Sequence, residues 1–202
     1  MADEASPIEE TAKAAEAKFT VMRRWCASGI GFGLWLTLCL SRVAAQGPPN
    51  DLTLSSAAFS PGAEIPKQHT CDGADVSPPL GWRGTPQGTK SIALIVDDPD
   101  APAGTWVHWV LYDLPGDSVV LAGGVPKKDT LVSAAKQGVN DFRTVGYAGP
   151  CPPPGKLHHY FFKLYALDAP LGLSPHATKA DVLQAIEGHI LAHAELVGTY
   201  KR

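Results

Sequence analysis

Two histidines each follow a proline-stiffened loop, and both loops carry groups able to do chemistry. His108 lies a few residues past Asp97-Asp98-Pro99-Asp100-Ala101-Pro102, in Trp106-Val107-His108-Trp109. His158 follows Gly149-Pro150-Cys151-Pro152-Pro153-Pro154-Gly155-Lys156-Leu157 and opens His158-His159-Tyr160. Proline fixes φ and has no N–H for a ladder, so neither run is helix or central strand. Each leads into an alternating, strand-like pattern. Rigid loops on a β scaffold are where binding residues concentrate. A carboxylate beside an imidazole orients it or holds it charged, and such an imidazole can serve an anion.

Other chemistries fit these residues less well. Asp97, Asp98 and Asp100 could ligate a hard cation, but they lack EF-hand spacing and equally suit a solvated strand end with a proline turn. A lone strand histidine is more often a satisfied core residue. Two at the ends of proline loops weaken that reading, because both loops could lie at one end of a sheet. His189 and His193 are four apart, which on a helix shares a face. Ile190 stands where a zinc-protease motif needs its glutamate, so no metal site is expected there. Cys151, His158 and Asp98 would make a thiol hydrolase only if Cys151 were free. Ser77 and Ser133 have no nucleophile-elbow context.

The amino-terminal part differs in character. Residues 2–18 are polar and acidic; Met22-Arg23-Arg24-Trp25, an apolar run from Cys26 to Leu40, and Val43-Ala44-Ala45-Gln46 follow. A short basic stretch, an apolar core and small residues make a secretory signal peptide, with cleavage expected after Ala45. The run is 15 residues long and contains Gly29, Gly31 and Gly33, short of the ~20 that span a bilayer, which disfavours an uncleaved anchor. Met22 is an alternative start. Arg23-Arg24 lacks twin-arginine flanks, and Cys39 follows leucine, a poor lipoprotein site. Cleavage would remove Cys26 and Cys39 and leave Cys71 and Cys151, an even pair expected to form a disulfide in an oxidising, periplasmic or extracellular compartment. A bonded sulfur is no nucleophile.

The elements that must position the two loops are mostly strands. Of 202 residues, 20 are glycine and 18 proline, a share that suits a turn-rich β fold. After a Gly/Pro linker at 46–50, Asp51–Ser55 alternates with period two. Ser91–Asp97 is continuously apolar and β-branched, a central strand. Thr105–Leu114 alternates, with Trp106, His108, Val110 and Tyr112 on one face and Val107, Trp109 and Leu111 on the other. His158–Leu167 places His158, Tyr160, Phe162 and Leu164 together. Residues 123–141 read as a long irregular excursion. Near the carboxyl end Thr178 can cap a helix, with Asp181 three residues on. Val182, Leu183, Ile186, Ile190 and Val197 would form its apolar stripe and Gly198 its end. The expectation is a leader over 1–45 and one mainly antiparallel β domain over 46–202 with a C-terminal helix.

Taken together, Asp98-Pro99-Asp100-Ala101-Pro102 with Trp106-Val107-His108, and Gly149–Gly155 with His158-His159-Tyr160, resemble the phosphatidylethanolamine-binding protein family. That family includes the Raf kinase inhibitor proteins. Cys71-Asp72-Gly73, Ser77-Pro78-Pro79-Leu80 and Glu195–Tyr200 resemble its bacterial, Raf kinase inhibitor-like branch. The resemblance runs from about Asp51 to Arg202 and implies a β sandwich with a small anion-binding cavity near one end. It implies that Asp98, Pro102, His108, Pro152, Pro153, His158 and Tyr160 line that cavity. Cys151 stands where the family loop often has glycine, so its backbone N–H could also face the anion. The family usually has arginine where this chain has His159. Alternation turns residue 159 away from the cavity, so the substitution bears on a contact made elsewhere.

Two functions follow as expectations. The first is a non-enzymatic domain binding phosphate or a phosphorylated headgroup, with no cofactor and no metal. The second is a hydrolase using His108 and Asp98 for acid–base work. The sequence offers no activated nucleophile and no metal set, which favours the first. A net charge of −3 gives no argument for nucleic acid, and stable membrane insertion is not expected once the leader is gone. An inhibitory or regulatory role with a protein partner is implied by the family name alone.

Overall fold

The computed structural model describes residues 51–202, which fall within one compact unit. The leader, its cleavage site, Cys26, Cys39 and the 46–50 linker lie outside the described residues. Eight strands and one α-helix follow in chain order. They are β1 (Thr53–Ser56), β2 (Leu80–Arg83), β3 (Ser91–Asp98), β4 (Trp106–Pro115), β5 (Val120–Leu121), β6 (Lys136–Gln137), β7 (Leu157–Leu167), α1 (Lys179–Ala185) and β8 (Ile190–Lys201). A small antiparallel sheet has the order β1-β2-β5, and a large one the order β6-β4-β3-β7-β8.

The large sheet is the middle layer. Ile92, Leu94 and Val96 of β3 pack with Trp109, Phe162, Leu164 and the small sheet's Leu54 and Trp82. Ala93 and Ile95, on the opposite face, pack with Val110, Tyr112 and with Val182 and Ile186 from the α1 region. Every residue of β3 is buried. A strand covered on both faces is apolar along its middle, which is why Ile92–Val96 shows no alternation, while the buried Ser91, Asp97 and Asp98 at its ends are hydrogen-bonded. Each fully buried Leu, Ile or Phe contributes about 1.5–3 kcal/mol of burial.

β4 departs from its sequence reading. Val96 pairs with Trp109 and Asp97 with Val107, leaving His108 as the extra residue of a β-bulge. The bulge reverses alternation across it, so Trp109 and Leu111 enter the sandwich core while Val107, Val110 and Tyr112 face the helix side. Val110 and Tyr112 therefore do not continue the His108 face. Bulges are a standard means of re-aiming one side chain.

The expected C-terminal helix is also corrected. Thr178 and Asp181 do form a reciprocal capping box, but α1 has only seven residues. Gly188 turns the chain at φ 79°, and residues 190–201 pair with β7 along its length. Ala192, Ala194, Leu196, Gly198 and Tyr200 are the buried, period-two face. Gly198 ends no helix: a Cβ there would come within 2.6 Å of Ile65 and 2.8 Å of Phe59. His193 thus lies on a strand and His189 before it, paired with Asp168 at 2.8 Å, so they share no helical face. β1, β3, β4 and β7 start and end within about two residues of where their patterns place them, whereas no sequence pattern anticipates β2, β5 or β6, β6 lying inside the stretch 123–141 read as irregular.

Candidate functional site

Asp98 ends β3 and is almost wholly buried. Its Oδ1 accepts the Asp100 N–H at 2.8 Å, fixing the turn that leads to Pro102. Its Oδ2 accepts Nδ1–H of His158, at the start of the neighbouring β7, at 2.7 Å. The two side chains are 3% and 4% exposed. That bond leaves His158 Nε2 as the ring nitrogen available to a ligand.

His108 reaches the same place from the bulge of β4. Its Nδ1–H donates to the Ala148 carbonyl at 2.7 Å. Its ring meets Tyr160 and Phe142 edge-on, with centroids 5.2 and 5.4 Å away. Burial holds the His108 pKa below the ordinary imidazole value of 6.5, against the opposing pull of the Ala148 carbonyl and the Asp98 charge. The Asp98 carboxylate's hydrogen-bonded imidazole is thus His158, and His108 is oriented by backbone.

The proline loop is braced from outside. Cys71 and Cys151 are bonded, with Cα atoms 5.4 Å apart. Cys71 N–H donates to Pro150 O at 3.1 Å and Gly149 N–H to Asp75 Oδ1 at 2.6 Å. Tyr147 donates to His69 O at 2.7 Å. A Cβ on Gly149 would lie 2.3 Å from His69 O, so only glycine permits this approach.

Between these loops is a cavity of about 330 Å³ lined by Asp98, Ala101, Pro102, Ala103, Trp106, His108, Phe142, Cys151, Pro152, Pro153 and His158. That volume lies at the small end of ligand pockets. Seven of the eight residues anticipated from sequence are in this wall. Tyr160 stands behind His108 instead. Its buried hydroxyl has no well-aligned partner. Burial, with the Asp98 charge adding to it, pushes its pKa well above the ordinary phenol range. Sequence reasoning did not anticipate Phe142, which sits in an irregular loop without a pattern. It also left Trp106 out of the wall, although the residue alternates with His108. A larger groove of about 680 Å³ shares Trp106 and runs past Asp141, Arg143 and Lys179, but no imidazole lines it.

The three aspartates diverge. Asp97 is bonded by Lys163 and Lys179, Asp98 by His158, and Asp100 by His159. They do not converge on one cation, and no metal-binding cluster of His, Cys, Asp or Glu occurs among the described residues.

An antiparallel β sandwich bearing an Asp–His pair and a second imidazole in a proline-walled cavity is the class of molecule that fold and site define. The family model for phosphatidylethanolamine-binding protein matches residues 55–201, and the chain belongs to that family. The UPF0098 protein of Methanothermobacter thermautotrophicus is 52% identical over 151 residues, covering 75% of this chain and 99% of that one. The UPF0098 protein of Aquifex aeolicus is 54% identical over 149 residues, 73% of this chain and 86% of its own. Among solved structures, a phosphatidylethanolamine-binding protein homologue from Chlamydia trachomatis is 42% identical, with a TM-score of 0.70 over 76% of this chain and 99% of its own. Escherichia coli YbcL, described as a member of the mammalian family, is 34% identical with a TM-score of 0.70, over 75% of this chain and 98% of its own.

Proposed function

We propose that this protein is an exported, non-enzymatic binding domain for a small anion, phosphate or a phosphorylated headgroup, held in the cavity between His108 and His158. The observation that carries the reading is the buried Asp98–His158 pair opening onto a cavity with a second buried imidazole. With each Nδ1–H already given to an acceptor, protonation creates a donor at Nε2, and a phosphate oxygen is a suitable acceptor. The prolines hold the rim still, and the Cys151 N–H supplies a further candidate donor. Export is supported by the leader sequence and by the disulfide, a bond typical of oxidising compartments.

Calorimetry with inorganic phosphate and phosphoethanolamine at pH 6.5 tests the site. Losing one charged donor costs on the order of 1.5–3 kcal/mol, about tenfold or more in affinity. His158→Ala and His108→Ala should each show that loss, and His189→Ala, outside the cavity, should not. Binding that survives both cavity variants places the site elsewhere. The Asp98–His158 pair also has the form of an acid–base dyad. Turnover of phosphoethanolamine that His158→Ala abolishes would replace this reading with a hydrolase.

A further inference from the structure

The cavity wall contains one covalent bond that can be opened without breaking the chain, and its two ends are unequal. Cys71 is exposed, whereas Cys151 is half-buried and lines the cavity. Arg202 Nη1 lies 3.9 Å from Cys151 Sγ, and Arg202 Nε is paired with Asp72 Oδ1 at 3.1 Å. In thiol–disulfide exchange the attacked sulfur must be accessible, and the sulfur that leaves faster is the one with the lower thiol pKa. Neighbouring cations lower a thiol pKa. Both criteria select attack on Cys71 and departure of Cys151.

We propose that Cys71–Cys151 is a thiol–disulfide exchange site that a small thiol or dithiol opens from Cys71, delivering a Cys151 thiolate to the cavity wall. In the first step a thiolate RS⁻ bonds to Cys71 Sγ. The Cys71–Cys151 bond breaks, and its electron pair leaves on Cys151. With a dithiol, the second thiolate then attacks the mixed disulfide and releases Cys71. The protein gains two electrons and one proton, which goes to Cys71; the dithiol's other proton passes to solvent, Cys151 stays a thiolate, and the dithiol becomes a cyclic disulfide. The loop retains other ties: Cys71 N–H to Pro150 O, Gly149 N–H to Asp75, and Gly155 N–H to Arg202 O at 3.1 Å. Opening the bridge therefore changes the charge of the wall more than its course. A thiolate in the wall of a cavity that Asp98 also lines makes it less hospitable to an anion. This consequence rests on the anion-binding reading; the direction of exchange does not.

The oxidised protein is treated with glutathione, quenched in acid, and its mixed disulfides are mapped by tandem mass spectrometry. Glutathione should sit on Cys71 over Cys151 by about tenfold or more, reflecting access and leaving-group pKa together. In denaturant the preference should fall to near parity. Arg202→Gln, checked for folding by near-ultraviolet circular dichroism, should reduce it. Equal labelling in the folded protein, or glutathione mainly on Cys151, overturns the proposal. Phosphate calorimetry on oxidised and dithiol-reduced protein separates the two readings. Weaker binding after reduction supports the consequence for the anion, and equal binding refutes it. Selective Cys71 labelling with phosphate bound by neither form leaves the exchange site standing and ends the anion reading.

Discussion

Two Asp–His pairs lie side by side on the same two segments, their aspartates two residues apart and their histidines adjacent, with the same 2.7 Å separation, and they do opposite things. Asp98 and His158 are 4% and 3% exposed; Asp100 and His159 are 41% and 47% exposed. Period-two alternation produces the difference. His158 points into the cavity, and His159, next along β7, points to solvent. Inside, each partner has replaced water as the other's main polar contact, so neither can be lost cheaply. Outside, water competes for both, and an exposed pair is worth little. Equal distance therefore carries no information about strength; burial does.

The largest effect should come from breaking the inner pair. Asp98→Ala leaves a buried imidazole N–H without its acceptor and releases the Asp100 turn. Its cost should be on the order of 1–3 kcal/mol. Asp100→Ala, two residues away, should cost about 0.2–1 kcal/mol. Urea midpoints of the two variants decide the matter. If Asp100→Ala is as costly as Asp98→Ala, burial is not what separates the pairs.

A second contrast lies in pH. Burial lowers the His108 pKa, so the unfolded chain binds more protons than the folded one. His108 thus costs stability as pH falls through about 6.5, the unfolded value, toward its lower folded value. A bound anion favours the charged imidazole and opposes that loss. The rise in melting temperature produced by phosphoethanolamine should grow as pH falls from about 7.5 to 6.5. It should then level off as the monoester dianion takes up a proton near pH ~6. His108→Ala should flatten this dependence. A phosphoethanolamine shift that does not change across that range would argue against an imidazole contact.

How much of this was legible in the sequence depends on the kind of signal. Both histidines announced themselves, because a proline loop followed by alternation is a local pattern. So did β3, whose unbroken apolar run reflects cover on two faces. The bulge at His108 was invisible, since an extra residue in one strand is defined only by its partner's register. The carboxyl end misled because Ala192, Ala194 and Gly198 are small. Their alternation carries little hydrophobic contrast, while Val182, Leu183 and Ile186 start a true helical stripe. The room they vacate is filled across the sandwich, as by Ile65 and Phe59 against Gly198. That is a tertiary fact and leaves no mark in the local sequence. The identity of Asp98's imidazole was likewise open, because spacing alone cannot choose between β4 and β7.

The smallest effect should come from the outer pair itself. Asp100 Oδ2 accepts both the backbone N–H and Nδ1–H of His159, at 2.8 and 2.7 Å. The His159 side-chain bond is the main reason the Asp100 carboxyl pKa lies below its ordinary value of 3.8. A depressed carboxylate pKa gives stability that is present above the unfolded value and lost as pH falls through the folded one. A double-mutant cycle of Asp100→Asn and His159→Ala should therefore show a coupling of about 0.2–1 kcal/mol near pH 6. The coupling should vanish once the carboxylate is protonated. Salt at 1 M, where the Debye length is about 3 Å, should weaken it more than it weakens the Asp98–His158 coupling. His159→Arg keeps a cation and a donor opposite Asp100 and should change stability by no more than about 0.5 kcal/mol. Phosphate affinity should be unaffected by any of these changes, since neither side chain lines the cavity. If His159→Ala instead weakens phosphate binding as His158→Ala does, the outer pair holds the Pro102 rim in place, and the two pairs work as one unit.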